Sequence, residues 1–280
     1  MTNKRLARKA FHSFLIQSIC VTLACIVIFP VVYCVFASFM GKSDLFSKNL
    51  IFVPSKPVLD NYETLFYRVN IKRYLFNSFV VSVLCSFSRV FFSSMAAYSL
   101  VFFNFIGKRI VFFGIVASIF IPQDLLFVQN YITISRLGLL NTYLGICSVY
   151  LVSAINIFML RQAFVSYPLE IKDASFLDGC NNVSFFTKIL IPTNFPVLTA
   201  VFFASFVSLW NIYLWPMVIT NKDEMRTVQV AITILKGRDS PDFGPVMAAA
   251  FLSLIPSIIL YILSFHFTRK SEIDSMSFFR

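Results

Sequence analysis

Apolar residues run in long unbroken blocks along this chain, and polar residues gather in short stretches between them. Six blocks approach or exceed the roughly 20 residues that a helix needs to cross a bilayer: 14–40, 77–103, 109–128, 142–160, 195–220 and 244–267. Stretches such as Leu23 to Phe36 are apolar on every side, whereas a membrane β-strand alternates apolar and polar positions over about ten residues. The pattern predicts an all-α integral membrane protein of six transmembrane helices and speaks against a β-barrel.

Orientation follows from the basic residues. Lys4, Arg5, Arg8 and Lys9 precede the first block with no acid among them, which places the N-terminus in the cytoplasm by the positive-inside rule. That block is too long for a signal peptide and lacks a small-residue cleavage site, so it is read as an anchor. Alternation then puts 41–75, a short loop near 129–141 and 221–242 outside, and 104–108, 161–194 and the tail from 268 inside. Lys108/Arg109 and Arg269/Lys270 agree with this. The basic residues of 41–75 do not, but long loops translocate largely regardless of charge.

Composition adds exclusions. Of 280 residues, 58% are hydrophobic and 13% charged, which leaves little mass for a soluble domain. The net charge of +11 is spread over both sides of the membrane with no basic and aromatic patch, so it points to anionic lipid headgroups and not to nucleic acid. Five of the six cysteines (Cys20, Cys25, Cys34, Cys85, Cys147) stand inside apolar blocks without a C-x-x-C pair and read as buried hydrophobes. Two histidines, His12 and His266 at helix ends, make no metal site or nucleophile constellation. No Gly stands five residues before Gly41-Lys42 or Gly107-Lys108, so no phosphate-binding P-loop is present.

The inner segment 161–194 is polar where its surroundings are not: "YPLEIKDASFLDGCNNVSFFTKILIP" spans 167–192. Pro168 suits a first helical position, and Glu170 in the first turn complements the helix dipole. Ile171, Ala174 and Phe176/Leu177 follow at near-helical spacing, and Asp178-Gly179 is a stop and turn signal. A second helix is expected from Asn181/Asn182, yielding at Pro192. The result is two short helices joined by a fixed bend, with the small residues Ala174 and Ser175 offered to a docking surface.

The set Pro168-x-Glu170-Ile171-x-Asp173-Ala174-Ser175-x-x-Asp178-Gly179, then Ile191-Pro192 and Pro196, resembles the cytoplasmic loop of bacterial ABC importer permeases. Asp173-Ala174-Ser175 stands where that family has Glu-Ala-Ala. Trp210-Asn211-x-x-x-Trp215-Pro216 is similar to the maltose-type sugar permeases, specifically their MalG-like members. Asn61-Tyr62, Asn77-Ser78, Ala97-Tyr98, Met247 to Ala250 and Pro256 carry the same resemblance over most of the chain. The C-terminus, "SEIDSMSFFR", departs from the family's frequent Gly-rich tail, so no tail contact to an ATPase is implied.

The resemblance implies an ABC importer permease fold in three parts: a cytoplasmic tail with first helix and outer loop (1–76), a core of five transmembrane helices (77–268) and a cytoplasmic tail (269–280). It implies a permease subunit that is not itself an enzyme, in a bacterial cell membrane, paired with a second permease subunit as a heterodimer. A cytoplasmic ATPase dimer would hold the ATP and Mg, this chain binding no cofactor, and an extracytoplasmic solute-binding protein would deliver sugar. Glu170, Asp173, Ala174, Ser175, Asp178 and Gly179 would form the helix that couples to the ATPase. Polar residues inside apolar blocks are the candidates for the substrate pathway: Asn156, Ser205, Ser208, Asn211, Tyr213 and the deep cation Arg89. Each amide or hydroxyl has helix-to-helix hydrogen bonding as its competing role, Arg89 has a partner on the second subunit, and Trp210 and Trp215 are expected as interfacial anchors.

Other readings are a permease of the same kind for glycerol 3-phosphate, and an ion-coupled secondary transporter. The latter calls for intramembrane acids or broken helices, and Asp124, at the edge of a block, is the nearest acid.

Overall fold

A helix satisfies its own backbone N–H and C=O groups, which is why apolar sequence destined for lipid folds this way. The computed structural model describes residues 2–47, 49, 51–236 and 243–278, and every described element is helical. The side chains of 2–11, Asp124 and 267–278, among them the basic residues at both ends, lie outside the described residues.

The main helices are α1 (Thr2–Ser38), α2 (Ile71–Phe102), α3 (Lys108–Ile119), α4 (Phe127–Arg136), α5 (Tyr143–Tyr150), α6 (Ala154–Val165), α7 (Leu169–Leu177), α8 (Asn182–Thr193), α9 (Phe195–Trp210), α10 (Leu214–Ile219), α11 (Val228–Lys236) and α12 (Phe243–Phe278). Among the described residues, three are long and apolar enough to cross a membrane singly: α1 over His12–Ser38, α2, and α12 over Phe243–His266. Two bent pairs, α5 with α6 (51°) and α8 with α9 (76°), bring the number to five when each pair is counted as one span.

Several boundaries differ from those the sequence pattern predicts. The third block, 109–128, is not one helix. α3 ends at Ile119 after 12 residues, because Pro122 cannot donate a backbone hydrogen bond and disfavours helix in the residue before it. The loop expected at 129–141 is largely the amphipathic α4, which buries Ile134. The tail expected from 268 continues α12 to Phe278. α8 does not yield at Pro192 but runs to Thr193, since the π-helical turn over Phe185–Leu190 precedes the proline and re-spaces the backbone groups its ring disturbs.

The chain divides into two compact units. The first joins the residues up to Ile71 with Ile234–Leu254. Here Asn61, buried, donates through Nδ2 to Ser38 O and Met40 O, both at 2.9 Å, which closes the free carbonyls at the end of α1. The Tyr62 and Ser38 hydroxyls share a hydrogen bond of 2.7 Å. Residues 12–32 of α1 are exposed throughout; an apolar surface of that length demands lipid or another subunit.

The second unit joins Lys72–Thr233 with the chain from Ile255. Two apolar cores stand out among its described residues. One gathers Val81, Cys85, Ile146, Leu209, Trp215 and Ile219; the other gathers Tyr98, Leu160, Phe164, Phe185, Leu190 and Val201. α2 contributes to both.

Candidate functional site

The loop after α6 forms the first candidate site. Only three residues, 166–168, separate α6 from α7. Pro168 caps α7 in extended conformation (φ −61°, ψ 124°), one position before the first-turn place its sequence context predicts, and Glu170 stands in the first turn. The far end closes as a Schellman motif: Cys180 N donates to Ser175 O (2.9 Å), Gly179 N to Phe176 O (3.1 Å), and Gly179 takes φ +85°. Asn181 then caps α8, its Oδ1 accepting from Ser184 N at 2.8 Å.

Two faces result. Glu170, Asp173, Ala174, Leu177 and Asp178 point outward, Leu177 being 90% exposed. Ser175 is the exception among the predicted set. It is buried, and its hydroxyl donates to Lys172 O (2.6 Å), so it packs toward its own chain and not toward a docking surface. Lys172 also turns inward, with Nζ 3.4 Å from Phe102 O and over the Phe102 and Phe176 rings. Phe185, wholly buried, meets Phe102, Tyr167 and Phe176 ring to ring. The Tyr98 ring meets Phe186 at a tilt of 43°, centroids 4.9 Å apart, and its hydroxyl donates to Asn182 O (3.1 Å). These contacts pack the bend against α2.

The second site is a cavity of about 430 Å³. Gln123, Leu126, Phe127 and Asn130 wall it from the turn after α3 and from α4, Val149 and Tyr150 from the end of α5, and residues 211–215 from the break between α9 and α10. Asn211 and Tyr213, expected on the substrate pathway, are in this wall. Asn211 is held by its own bonds, donating to Val207 O (2.8 Å) and accepting from Gln229 Nε2 (3.1 Å). Asn156 and Ser205 instead bond each other, Nδ2 to Oγ at 2.7 Å, as a buried bridge from α6 to α9. Ser208 is exposed and outside the cavity wall.

Arg89 lies behind the wall, 8% exposed, its Nε donating to Tyr150 O at 2.8 Å. Its described partner is thus a carbonyl of its own chain. Trp210 and Trp215 are buried, 2% and 1% exposed, and Trp215 Nε1 donates to Gly145 O (3.2 Å); they pack inside the bundle, which corrects their reading as interfacial anchors. Gln123, Asn130 and Tyr150 were not foreseen. Gln123 and Asn130 are amides seven residues apart, about two helical turns, and both line the cavity.

The chain thus carries a polar bend between apolar helices and a cavity lined in part by amides. The family model described as "Binding-protein-dependent transport system inner membrane component" matches residues 7–272. The chain belongs to this family. Among similar permeases is the arabinooligosaccharides transport system permease protein AraQ of Halalkalibacterium halodurans, 29% identical over 243 residues, 86% of this chain and 87% of that one. The sn-glycerol-3-phosphate transport system permease protein UgpE of Agrobacterium fabrum is 29% identical over 270 residues, 93% and 94% of the two chains. A solved structure of a bacterial ABC transporter involved in the import of the acidic polysaccharide alginate has the same fold. It superposes with a TM-score of 0.80 at 21% identity, covering 91% of this chain and 95% of that one. As a permease of this family the protein is the membrane component of an ABC importer. It works with a further permease subunit, an ATPase and a binding protein, and hydrolysis of ATP belongs to the ATPase.

Proposed function

We propose that this permease forms half of the translocation pore of a sugar importer, paired with a different permease subunit as a heterodimer. Its two termini and the α7–α8 bend face the cytoplasm, where α7 sits on an ATPase dimer that holds ATP and Mg. An extracytoplasmic binding protein presents the sugar on the opposite side. The observation that carries this reading is the bend itself. The exposed edge of α7 pairs carboxylates with Leu177 and Ala174, chemistry suited to a groove with basic and apolar walls, and its inner edge is bolted to α2 through Phe185 and Tyr98. Closure of an ATPase dimer against such a helix becomes a rigid-body movement of the bundle.

The cavity supports the cargo class. Amides and phenols hydrogen-bond hydroxyl groups while aromatic faces cover the apolar side of a sugar ring. The same family resemblance extends to glycerol 3-phosphate permeases, so that solute is the second reading.

Gly179→Val tests coupling. No atom lies within 4 Å of a Cβ added there, so the penalty is conformational: a left-handed position costs an L-residue about 1–2 kcal/mol. Uptake of labelled mono- and oligosaccharides and of glycerol 3-phosphate is compared between wild type, a deletion and the variant. Loss of one sugar's uptake on deletion, restored by wild type but not by Gly179→Val at equal membrane content, is expected. Normal uptake in the variant overturns the coupling role; loss of glycerol 3-phosphate uptake alone replaces the cargo.

A further inference from the structure

One face of α2 is directed at the gap between α5 and α6. Arg89 Nε donates to Tyr150 O (2.8 Å), Ser88 Oγ to Leu151 O (3.0 Å) and Ser93 Oγ to Ser153 O (3.4 Å). One turn earlier Cys85 Sγ lies 3.9 Å from Cys147 O. A helix broken within apolar surroundings strands carbonyls that only side chains or water can satisfy, and here α2 supplies the donors. The two segments rise together: 85 meets 147, 89 meets 150 and 93 meets 153.

The same stripe holds spare groups. Ser82 and Ser86 are fully buried, and their Oγ atoms have no hydrogen-bond partner among the described residues. They stand about one turn behind Cys85 and Arg89. A displacement of the broken segment by one turn along α2 would carry Cys147 O to Ser82 and Tyr150 O to Ser86, exchanging one set of donors for another without breaking either helix. Such one-turn ratchets are a known form of switching. Tyr150 is in the cavity wall, and α6 leads through three residues into α7, so the break joins the two candidate sites.

We propose that Arg89 is a positioning residue of the transport cycle: it holds the break at Leu151–Ser153 in one of two registers along α2, and Ser82 and Ser86 receive it in the other. This rests on α7 being the helix that the ATPase moves. In the register seen here the guanidinium fixes Tyr150 in the cavity wall; in the other Tyr150 is displaced by a turn and the cavity changes shape.

The test uses the complete transporter in nanodiscs, with spin labels carried by non-natural amino acids at Met95 on α2 and Leu144 on α5. Both side chains are exposed on this chain, and the native cysteines are left in place. The label separation is measured by electron paramagnetic resonance without nucleotide and after trapping with ATP and vanadate. Trapping is expected to lengthen it by about 5 Å, one helical turn. Arg89→Met should shift the nucleotide-free separation toward the trapped value, Arg89→Lys, which retains a donor, should restore it, and Ser82→Ala with Ser86→Ala should deplete the trapped value. A separation common to both nucleotide states in wild type overturns the proposal, as does a shift that Arg89→Met leaves intact. If Arg89→Met does not assemble, the double serine variant decides: an unchanged shift overturns it. ATP hydrolysis is followed in the same samples. Vanadate-sensitive turnover without any change in separation counts against the two registers alone, whereas absence of turnover in a correctly assembled wild-type complex counts against the coupling reading.

Discussion

A methyl group added at Gly145 would lie 2.2 Å from Leu139 O, a backbone atom with nowhere to go. Gly145 also donates to Thr142 Oγ1 (3.0 Å) and accepts from the Trp215 indole, so displacing it disturbs a cap and a buried aromatic together. Gly145→Ala is therefore expected to destabilise by about 1–3 kcal/mol, the usual cost of overpacking. Gly114, in α3, has nothing within 4 Å of an added Cβ, and Gly114→Ala should be neutral or stabilising by up to about 1 kcal/mol through helix propensity. Thermal unfolding midpoints in detergent, lowered for the first and not for the second, are the check. Neither glycine is distinguishable from the other by local sequence, because the decisive neighbour of Gly145 is a carbonyl placed by the turn before α5.

The α7–α8 bend was legible in advance because each of its parts is local. Glu170 in the first turn, the Asp178-Gly179 stop and the helix start at Asn181/Asn182 act over four residues or fewer, and the structure contains all three. Asn181→Ala removes the cap and should cost about 0.5–2 kcal/mol, seen as faster hydrogen–deuterium exchange of the amides from Ser184 to Phe186; Asn181→Asp should retain protection. The inward turn of Ser175 was not legible. Which face of α7 is outer depends on where Phe102 and Phe185 lie, and Phe102 is some seventy residues distant in sequence.

At the scale of the second unit, side-chain amides hold an irregular segment to the helices. Asn77 Nδ2 donates to Glu224 O (2.8 Å) and Arg226 O (2.9 Å) while its Oδ1 accepts from the Tyr143 hydroxyl (2.6 Å). Ser78 Oγ accepts from Val228 N, and Asn141 Oδ1 from Asn221 N and Lys222 N. Asn77→Leu keeps much of the bulk but takes the side-chain partner from Arg226 O and the Tyr143 hydroxyl, while Glu224 O keeps Arg73 Nε (3.2 Å), and should cost about 1–3 kcal/mol for each group left buried and unpaired. Increased protease cleavage between residues 221 and 228, with α2 still protected, would register the release. Tyr143→Phe should cost less, and the double variant less than the sum, because both act on one network.

The sequence by itself determined that the chain is helical and lies in a membrane, and it located the polar bend. These are consequences of short-range rules: a backbone in lipid must pair within its own helix, and caps and turns are set by neighbouring residues. Its motifs also sufficed to recognise an importer permease. Only the tertiary structure decided that Arg89 meets the Tyr150 carbonyl, that Trp210 and Trp215 are interior, and that Gln123 and Asn130 share a cavity with Asn211. Each of those depends on contacts between segments far apart in the chain, and an apolar block looks the same in sequence whether it faces lipid, a neighbouring helix or a cavity.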